Sequence, residues 1–166
     1  MIIREFQESD QKAVEEIFAL YWTDPEFLKE LSSELQSYVK KTPKKDSGFF
    51  VATENNEILG IVGFRKLTNY LKLYTLTNNP VEFYVIAVKY KRRGLGKILK
   101  LKLIEEVRKF GFTEIILYSP NSHSESWYFH DKLGFERAGE VTPPDDDIGQ
   151  VWRKFYRYLC LFYARF

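Results

Sequence analysis

The sequence predicts an α/β fold in which a mixed central sheet is flanked by helices. Segments with strand and helix patterns follow each other in the order β-α-α-β-β-β-α-β-α-β-β. An apolar run at residues 83–88 leads into a basic turn with two glycines and then into a long amphipathic helix. The 166 residues, 45% hydrophobic and 29% charged, have the ordinary balance of a single globular domain spanning residues 1–166.

The chain opens with a strand and two helices. Residues 2–6 mix apolar and charged side chains in a short run that predicts the first strand. Residues 12–22 and 26–40 carry apolar side chains at helical spacing, and the T-D-P sequence of residues 23–25 separates the two helices. The sequence therefore predicts two consecutive helices after one strand.

A hairpin and an ambiguous segment come next. Residues 49–53 and 58–66 have strand composition and flank the turn-forming E-N-N-E of residues 54–57, which indicates a β-hairpin. Residues 69–80 are rich in Tyr and Leu without a clear period, and they could extend the strand or form a flap.

The second half alternates strands and helices. The helix after the glycines has Leu99, Leu103 and Val107 on one face, and Gly111 is suited to end it. The predicted elements are strand 82–88, helix 98–110, strand 114–118, helix 124–133, and strands 135–141 and 151–161.

The turn at residues 90–97, Y-K-R-R-G-L-G-K, carries the main functional signal. The start of a helix has unpaired N–H groups and a positive dipole end, and glycine lets an anion approach the backbone closely. The alternative is a solvated basic turn, but the strand before it and the helix after it favour a site for a phosphate-bearing ligand. The turn matches neither the Walker A loop nor the three-glycine dinucleotide motif.

Two motifs resemble the GNAT superfamily of N-acetyltransferases. Residues 91–96 resemble the family's [QR]-x-x-G-x-[GA] loop, with Lys91 at the first position. Residues 127–136, W-Y-F-H-D-K-L-G-F-E, resemble its second signature, L-Y-E-K-L-G-F-E. The element order also resembles the GNAT fold over nearly the entire chain. Two signatures in the right order are much more specific than either alone.

The resemblance implies that acetyl-CoA is the cosubstrate. In the family, the strand before the loop separates from its neighbour and pairs with the pantetheine arm, here through the backbone of Ile86 and Val88. The family's Asn contact falls at His123, and Asn121, two residues earlier, is the candidate in its place. The groups implied at the pyrophosphate are Lys91, Arg92, Arg93, Gly94, Leu95, Gly96 and Lys97.

Acetyl transfer needs a base for the amine and a proton for the departing thiolate. Glu82 is the candidate base, because it lies four residues before Ile86 and alternation would place both on one face of the strand; the alternative is a carboxylate at the strand start that is exposed to water. His130 stands where most members carry the donor Tyr, and Tyr128 is the alternative acid. S-W-Y-F-H-D also resembles the S-x-x-L-H-E of the phosphinothricin acetyltransferase-like branch.

Composition argues against several other classes. A net charge of +2 is poor for nucleic-acid binding, and the single cysteine, Cys160, disfavours a cysteine-based metal site and excludes an intrachain disulfide. No apolar run reaches membrane-spanning length and no signal peptide is evident, so we expect a cytoplasmic protein with no metal and no membrane partner. The sequence is compatible with a homodimer.

The sequence predicts an N-acetyltransferase acting on a primary amine of a small molecule or peptide. The alternative is a non-catalytic acyl-CoA-binding regulator of the same fold. Acceptor-pocket candidates are aromatic and come from the two N-terminal helices and the ambiguous segment: Tyr21, Trp22, Phe27 and residues 70–80.

Overall fold

The computed structural model describes residues 1–42, 46–144 and 146–156. Its strands are β1 (Ile2–Glu5), β2 (Gly48–Glu54), β3 (Glu57–Arg65), β4 (Pro80–Val88), β5 (Glu114–Pro120), β6 (Glu136–Val141) and β7 (Gly149–Phe155). They form one sheet in the order β1-β2-β3-β4-β5-β7-β6. In the described part of the chain, β4 and β5 are parallel and the other neighbouring pairs are antiparallel. The predicted mixed sheet is confirmed.

The helices are α1 (Gln11–Phe18), α2 (Pro25–Lys40), α3 (Leu95–Lys109) and α4 (Trp127–Lys132), with short 3-10 turns at Glu8–Asp10, Asn69–Tyr74 and Asn121–Ser126. No described helix is long and apolar enough to cross a membrane. The ambiguous segment is thus a 3-10 turn at Asn69–Tyr74, and its last residue, Pro80, begins β4. The strand predicted at residues 151–161 spans Gly149–Phe155, and residues 157–161 lie outside the described part of the chain.

Local chemistry explains the boundaries in the first half. Asp24 accepts a hydrogen bond from Glu26 N–H, and Pro25 occupies the first turn of α2, where a missing N–H costs nothing. Asn55 and Asn56 adopt positive φ in the hairpin turn between β2 and β3. The predicted first helix is too long, because the chain turns after Phe18 to reach the cap of α2.

Helices cover both faces of the sheet. On one face, α3 packs its apolar stripe of Leu95, Leu99, Leu103 and Val107 against the sheet, and α4 lies beside it through Trp127. On the other face, α1 and α2 pack against the sheet through a second core cluster: Val14, Ile17, Phe18, Leu31, Leu35 and Tyr38. Burial of these apolar stripes gives the layered architecture its main stabilisation.

A split between β4 and β5 is the feature that positions the site. The two strands pair only at residues 80–82 and 114–116, and beyond Glu82 they separate. β4 also contains a bulge, because Gly63 of β3 faces Val85 whereas Phe64 faces Phe83, which leaves Tyr84 as an extra residue. The sheet therefore opens into a cleft just past Glu82, as the prediction required.

Candidate active site

The open edge of β4 lines the cleft. Lys89 N–H donates to Leu59 C=O, so the alternating residues Ala87 and Lys89 direct their backbone groups towards β3. The backbone groups of Ile86 and Val88 consequently point away from β3, into the split. Among the described residues, none bonds to the backbone of Ile86. The two positions predicted to pair with pantetheine are therefore both on the open edge.

Tyr21 already occupies one of these positions. Its hydroxyl donates to Val88 C=O at 2.9 Å and accepts from Val88 N–H at 3.3 Å. The ammonium of Lys91 lies 4.5 Å from the centre of the same ring. Tyr21 follows α1 directly, so the early end of that helix brings the phenol over β4. No local pattern predicts this contact, because its partners are 67 residues apart and one of them is backbone.

The start of α3 is an uncapped helix end beside the cleft. Gly94 precedes α3 with φ of 77°, and no side chain caps the helix, so the N–H groups of Leu95, Gly96 and Lys97 have no intrahelical acceptor. A Cβ atom at Gly96 would lie 3.8 Å from Phe129 and 3.9 Å from Ile86, so the surface above Gly96 is flanked by β4 and α4. These donors fit a pyrophosphate.

The cations of the loop surround this helix end. Arg92 adopts a left-handed conformation with φ of 62°, which is unusual for a residue with a side chain and sharpens the turn before Gly94. The side chains of Lys91, Arg92, Arg93 and Lys97 are exposed, and within residues 1–42, 46–144 and 146–156 none of them forms an ion pair. Their positive charge is therefore free to meet an anion.

Glu82 is buried on the α2 side of the sheet, with only 4% of its surface exposed. Its carboxylate accepts hydrogen bonds from Arg65 Nη2 at 3.2 Å and from Thr68 N–H at 3.1 Å. Burial raises the pKa of this carboxyl above its usual range, although Arg65 and Thr68 oppose the increase. Glu82 is also the last residue of β4 paired with β5, so it stands where the cleft begins.

The expectation that Glu82 and Ile86 share a face of β4 is wrong. Val81 and Phe83 pack on the α3 side, whereas Tyr84 and Val85 both pack on the side of α1 and α2. The bulge at Tyr84 interrupts the alternation of side chains, so Ile86 returns to the α3 side and Glu82 lies on the opposite one. A single sequence contains no marker for this bulge.

His130 is buried on the α3 side of the sheet, 5% exposed, between rings of β4 and β7. Its ring centre lies 6.5 Å from that of Phe83 and 4.9 Å from that of Trp152. Its Nδ1 lies 2.5 Å from the Nζ of Lys100. Burial, and then the charge of Lys100, lower the pKa of His130 to about 3, so the imidazole is neutral near pH 7.

The remaining predicted residues fall at different depths. Tyr128, the alternative acid, is 66% exposed, and Asn121 is exposed at the end of β5. His123 lies 6.4 Å from Trp22 between ring centres. Since Trp22 precedes α2 and His123 follows β5, this contact connects the two sides of the cleft.

The predicted acceptor residues form two separate clusters. The Trp22 ring contacts those of Tyr21 and Phe27, whereas Tyr70 packs against Tyr118. A cavity of about 310 Å³ borders the partners of Glu82 and is lined partly by Glu34, Arg65 and Thr68. A larger one of about 640 Å³ lies between α1 and the β2–β3 hairpin, away from the cleft. No cluster of metal-binding side chains occurs among the residues that the structure describes.

Residues 12–135 match the model of the acetyltransferase (GNAT) family. The chain belongs to the GNAT family of acetyltransferases. The structure resembles a protein from Desulfovibrio desulfuricans assigned to this family, with a TM-score of 0.79 and 16% identity over 93% of this chain and 98% of that one. A comparison with curated protein sequences gave no match.

Two further structures share the fold. Aminoglycoside 6'-acetyltransferase type Ii has a TM-score of 0.72 and 21% identity over 93% of this chain and 97% of that one. The PaiA N-acetyltransferase of Thermoplasma acidophilum, in complex with coenzyme A, has a TM-score of 0.68 and 20% identity over 93% and 98%. The GNAT chain thus has the fold that both motifs indicated.

Two residues that contact the predicted site residues, Lys100 and Arg65, were not among those predicted. Lys100 lies four residues after Gly96 and three before Leu103, a spacing that places it on the buried stripe of α3, and a lysine on such a stripe was a detectable signal. Arg65 had no such signal, because only the pairing of β3 with β4 brings it to Glu82.

Proposed function

We propose that this protein transfers the acetyl group of acetyl-CoA to a primary amine of a small molecule or peptide. The observation that carries the proposal is the open edge of β4 at Ile86 beside the uncapped start of α3. An extended arm with amide groups and an anionic head is the ligand class that matches these two features together.

The cosubstrate would be held largely by backbone. Ile86 offers a free N–H and C=O to the amides of a pantetheine arm, and Val88 offers the same pair once the Tyr21 hydroxyl gives way. The amides of residues 95–97 would bind the pyrophosphate, with Lys91, Arg92 and Arg93 adding charge. Acetyl-CoA would supply the activated acetyl group as its thioester. The similar PaiA structure, which holds coenzyme A, supports this assignment.

The amine would approach from the α2 side, where Glu82 lies. A carboxylate with a raised pKa is a better proton acceptor near neutral pH than an ordinary one, and Glu82 has this property because it is buried. Glu30 and Glu34 lie within 3.5 Å of the same Arg65 guanidinium and leave the region acidic, which favours a cationic amine. The similar aminoglycoside acetyltransferase is named for an amine acceptor of this kind.

The thiolate would depart on the α3 side, where His130 lies. Glu82 and His130 stand on opposite faces of the sheet, next to the point where β4 and β5 separate. An acetyl carbon placed in the split would therefore have a proton acceptor on one side and a proton donor on the other. His130 at this position also supports the phosphinothricin acetyltransferase-like branch. A homodimer and a cytoplasmic location stay predictions from the sequence.

The test is a panel of amines incubated with acetyl-CoA and the purified protein, with thiol release and acetylated product both measured. The panel contains aminoglycosides, phosphinothricin-like amino acids and peptides with free N-termini. For the best acceptor, Glu82→Gln should lower kcat by about 10²–10⁴. Glu57→Gln, which alters a carboxylate paired with Lys89 on the surface, is the matched control and should keep kcat.

The alternative regulator makes a different prediction. If acetyl-CoA raises the melting temperature but no amine is acetylated, the protein is a binding domain and the transfer proposal is wrong. If acetyl-CoA neither binds nor reacts, the assignment of the β4 edge is wrong as well.

A further inference from the structure

Lys100 is an ionisable residue in the core that the reaction outlined above does not use. It lies in α3 with no exposed surface, and within the described residues no carboxylate oxygen lies within 4.0 Å of its ammonium. Burial of an ammonium without a carboxylate partner lowers the stability of the folded protein, so a buried lysine of this kind is rare. The hydrogen-bonding neighbour of its Nζ is Nδ1 of His130, at 2.5 Å.

Three aromatic rings surround the ammonium of Lys100. Its Nζ lies 4.1 Å from the centre of the Phe135 ring, 4.9 Å from that of Phe129 and 5.0 Å from that of Phe83. Ring faces attract a cation and partly offset the loss of water. The surroundings are therefore suited to an ammonium that keeps its proton weakly.

The contact with Lys100 determines which nitrogen of His130 carries the proton. An ammonium has three donors and no acceptor, so Nδ1 must accept, and the proton of the neutral imidazole then resides on Nε2. If Lys100 were an aliphatic side chain, none of the residues that the structure describes would bond to Nδ1 and select this tautomer. Lys100 thus acts on the predicted proton donor and not on the substrate.

We propose that Lys100 is a positioning residue that holds His130 in the Nε2–H tautomer and replaces the proton that His130 gives to the departing thiolate. The inference rests on the proposed function. The amine nitrogen bonds to the acetyl carbon, the carbon–sulfur bond breaks, and its electron pair stays on sulfur. Sulfur takes the Nε2 proton of His130, while Nδ1 takes a proton from Lys100.

The pair then returns to its starting state. Lys100 is a neutral amine after the transfer, and His130 carries its proton on Nδ1. Nε2 takes a proton from water in the emptied cleft, and Nδ1 gives its proton back to Lys100. The proton lost by the amine leaves through Glu82, so protons and electrons balance over the cycle.

The electrostatic surroundings agree with a weakly held proton. Burial, and then the positive charge of Lys154 on β7, lower the pKa of Lys100 well below its usual range, while Asp131 on α4 opposes this. The carboxylate of Asp131 is itself bound by Arg137 and by Trp152 Nε1. A neutral His130 cannot act as an imidazolium, so the pair needs the proton of Lys100 for net donation.

The experiment combines ¹⁵N NMR of histidine-labelled protein with pH profiles of kcat. The chain has two histidines, so the ring nitrogens of His130 can be assigned by comparison with His130→Asn. The wild type should show Nε2–H, and its ring shifts should change as the pH rises and Lys100 loses its proton. Lys100→Met should lose the preference for this tautomer and lower kcat by about 10².

Lys100→Arg separates the two parts of the role. The kcat of the wild type should decline as the pH rises and Lys100 loses its proton. Arginine keeps the charge and the donors but does not release a proton, so in Lys100→Arg the tautomer should be kept, kcat should fall and this decline should disappear. Lys102→Met, on the same helix and partly exposed, is the matched control and should keep kcat and tautomer. The wild-type NMR titration alone remains decisive if the Lys100 variants do not fold.

The outcomes are distinct. A wild type with Nδ1–H, or ring shifts that do not change as the pH rises, overturns the proposal. An active Lys100→Met variant with an unchanged pH profile overturns it while the acetyltransferase assignment stands. A folded wild type that acetylates no amine overturns both.

Discussion

His130→Asn in dilute acid tests whether the imidazole is held neutral by burial. The pKa of His130 falls from 6.5 to about 3 in the folded protein, because burial and the charge of Lys100 disfavour the imidazolium. The unfolded chain therefore binds a proton at this residue between pH 6.5 and 3 that the folded chain does not bind. The contribution of the neutral His130 to the free energy of unfolding is therefore fully present above pH 6.5 and is lost as the pH falls towards 3.

The expected size follows from this pKa. One pKa unit corresponds to about 1.4 kcal/mol, so acidification from pH 7 to pH 4 should remove about 3 kcal/mol of folding free energy through His130 alone. Asparagine does not titrate, and its side-chain oxygen can accept from Lys100 in place of Nδ1. Other acidic and basic groups titrate in both proteins, so the difference between them isolates His130.

The assay is urea unfolding followed by tryptophan fluorescence at pH 7 and pH 4. Trp152 contacts the His130 ring and provides a probe beside the substituted residue. The wild type should lose about 3 kcal/mol more than His130→Asn between the two pH values. His123→Asn, which removes the partly exposed histidine, is the matched control. A difference below about 1 kcal/mol would show that His130 is not held neutral by burial, and the reasoning above would fail.

Three further predictions concern binding and rate. Gly96→Glu should weaken acetyl-CoA binding by about 10- to 10³-fold in calorimetry through charge repulsion. Gly96→Ala, whose Cβ would lie 3.8 Å from Phe129, is the control and should bind acetyl-CoA with the wild-type affinity. Equal affinities of Gly96→Glu and the wild type would refute the pyrophosphate site. Tyr21→Phe removes the hydroxyl that occupies Val88 and should tighten acetyl-CoA binding about 2- to 10-fold; weaker binding would mean that the phenol helps to hold the cosubstrate. The kcat of the wild type should rise as the pH passes the raised pKa of Glu82, because the base must be deprotonated. This rise should be absent in Glu82→Gln, and an unchanged pH profile in that variant would exclude Glu82 as the base.

Local sequence determined the elements and the family of this protein. Helical and strand periodicity predicted the mixed sheet, and the two glycines after an apolar run predicted a helix start beside them, although α3 begins at Leu95 and not at the predicted residue 98. These features depend on residues close together in the chain, so the pattern of side chains is enough to reveal them. The family match over residues 12–135 confirms what the two motifs indicated.

Tertiary structure decided how the site residues are arranged. The bulge at Tyr84 moved Glu82 to the face opposite Ile86, and the pairing of β3 with β4 gave Glu82 its partner Arg65. The contact of Tyr21 with Val88 and that of Lys100 with His130 join residues 67 and 30 positions apart. Such contacts arise only when strands and helices pack, because periodicity determines which face of an element is buried but not which residue lies across from it.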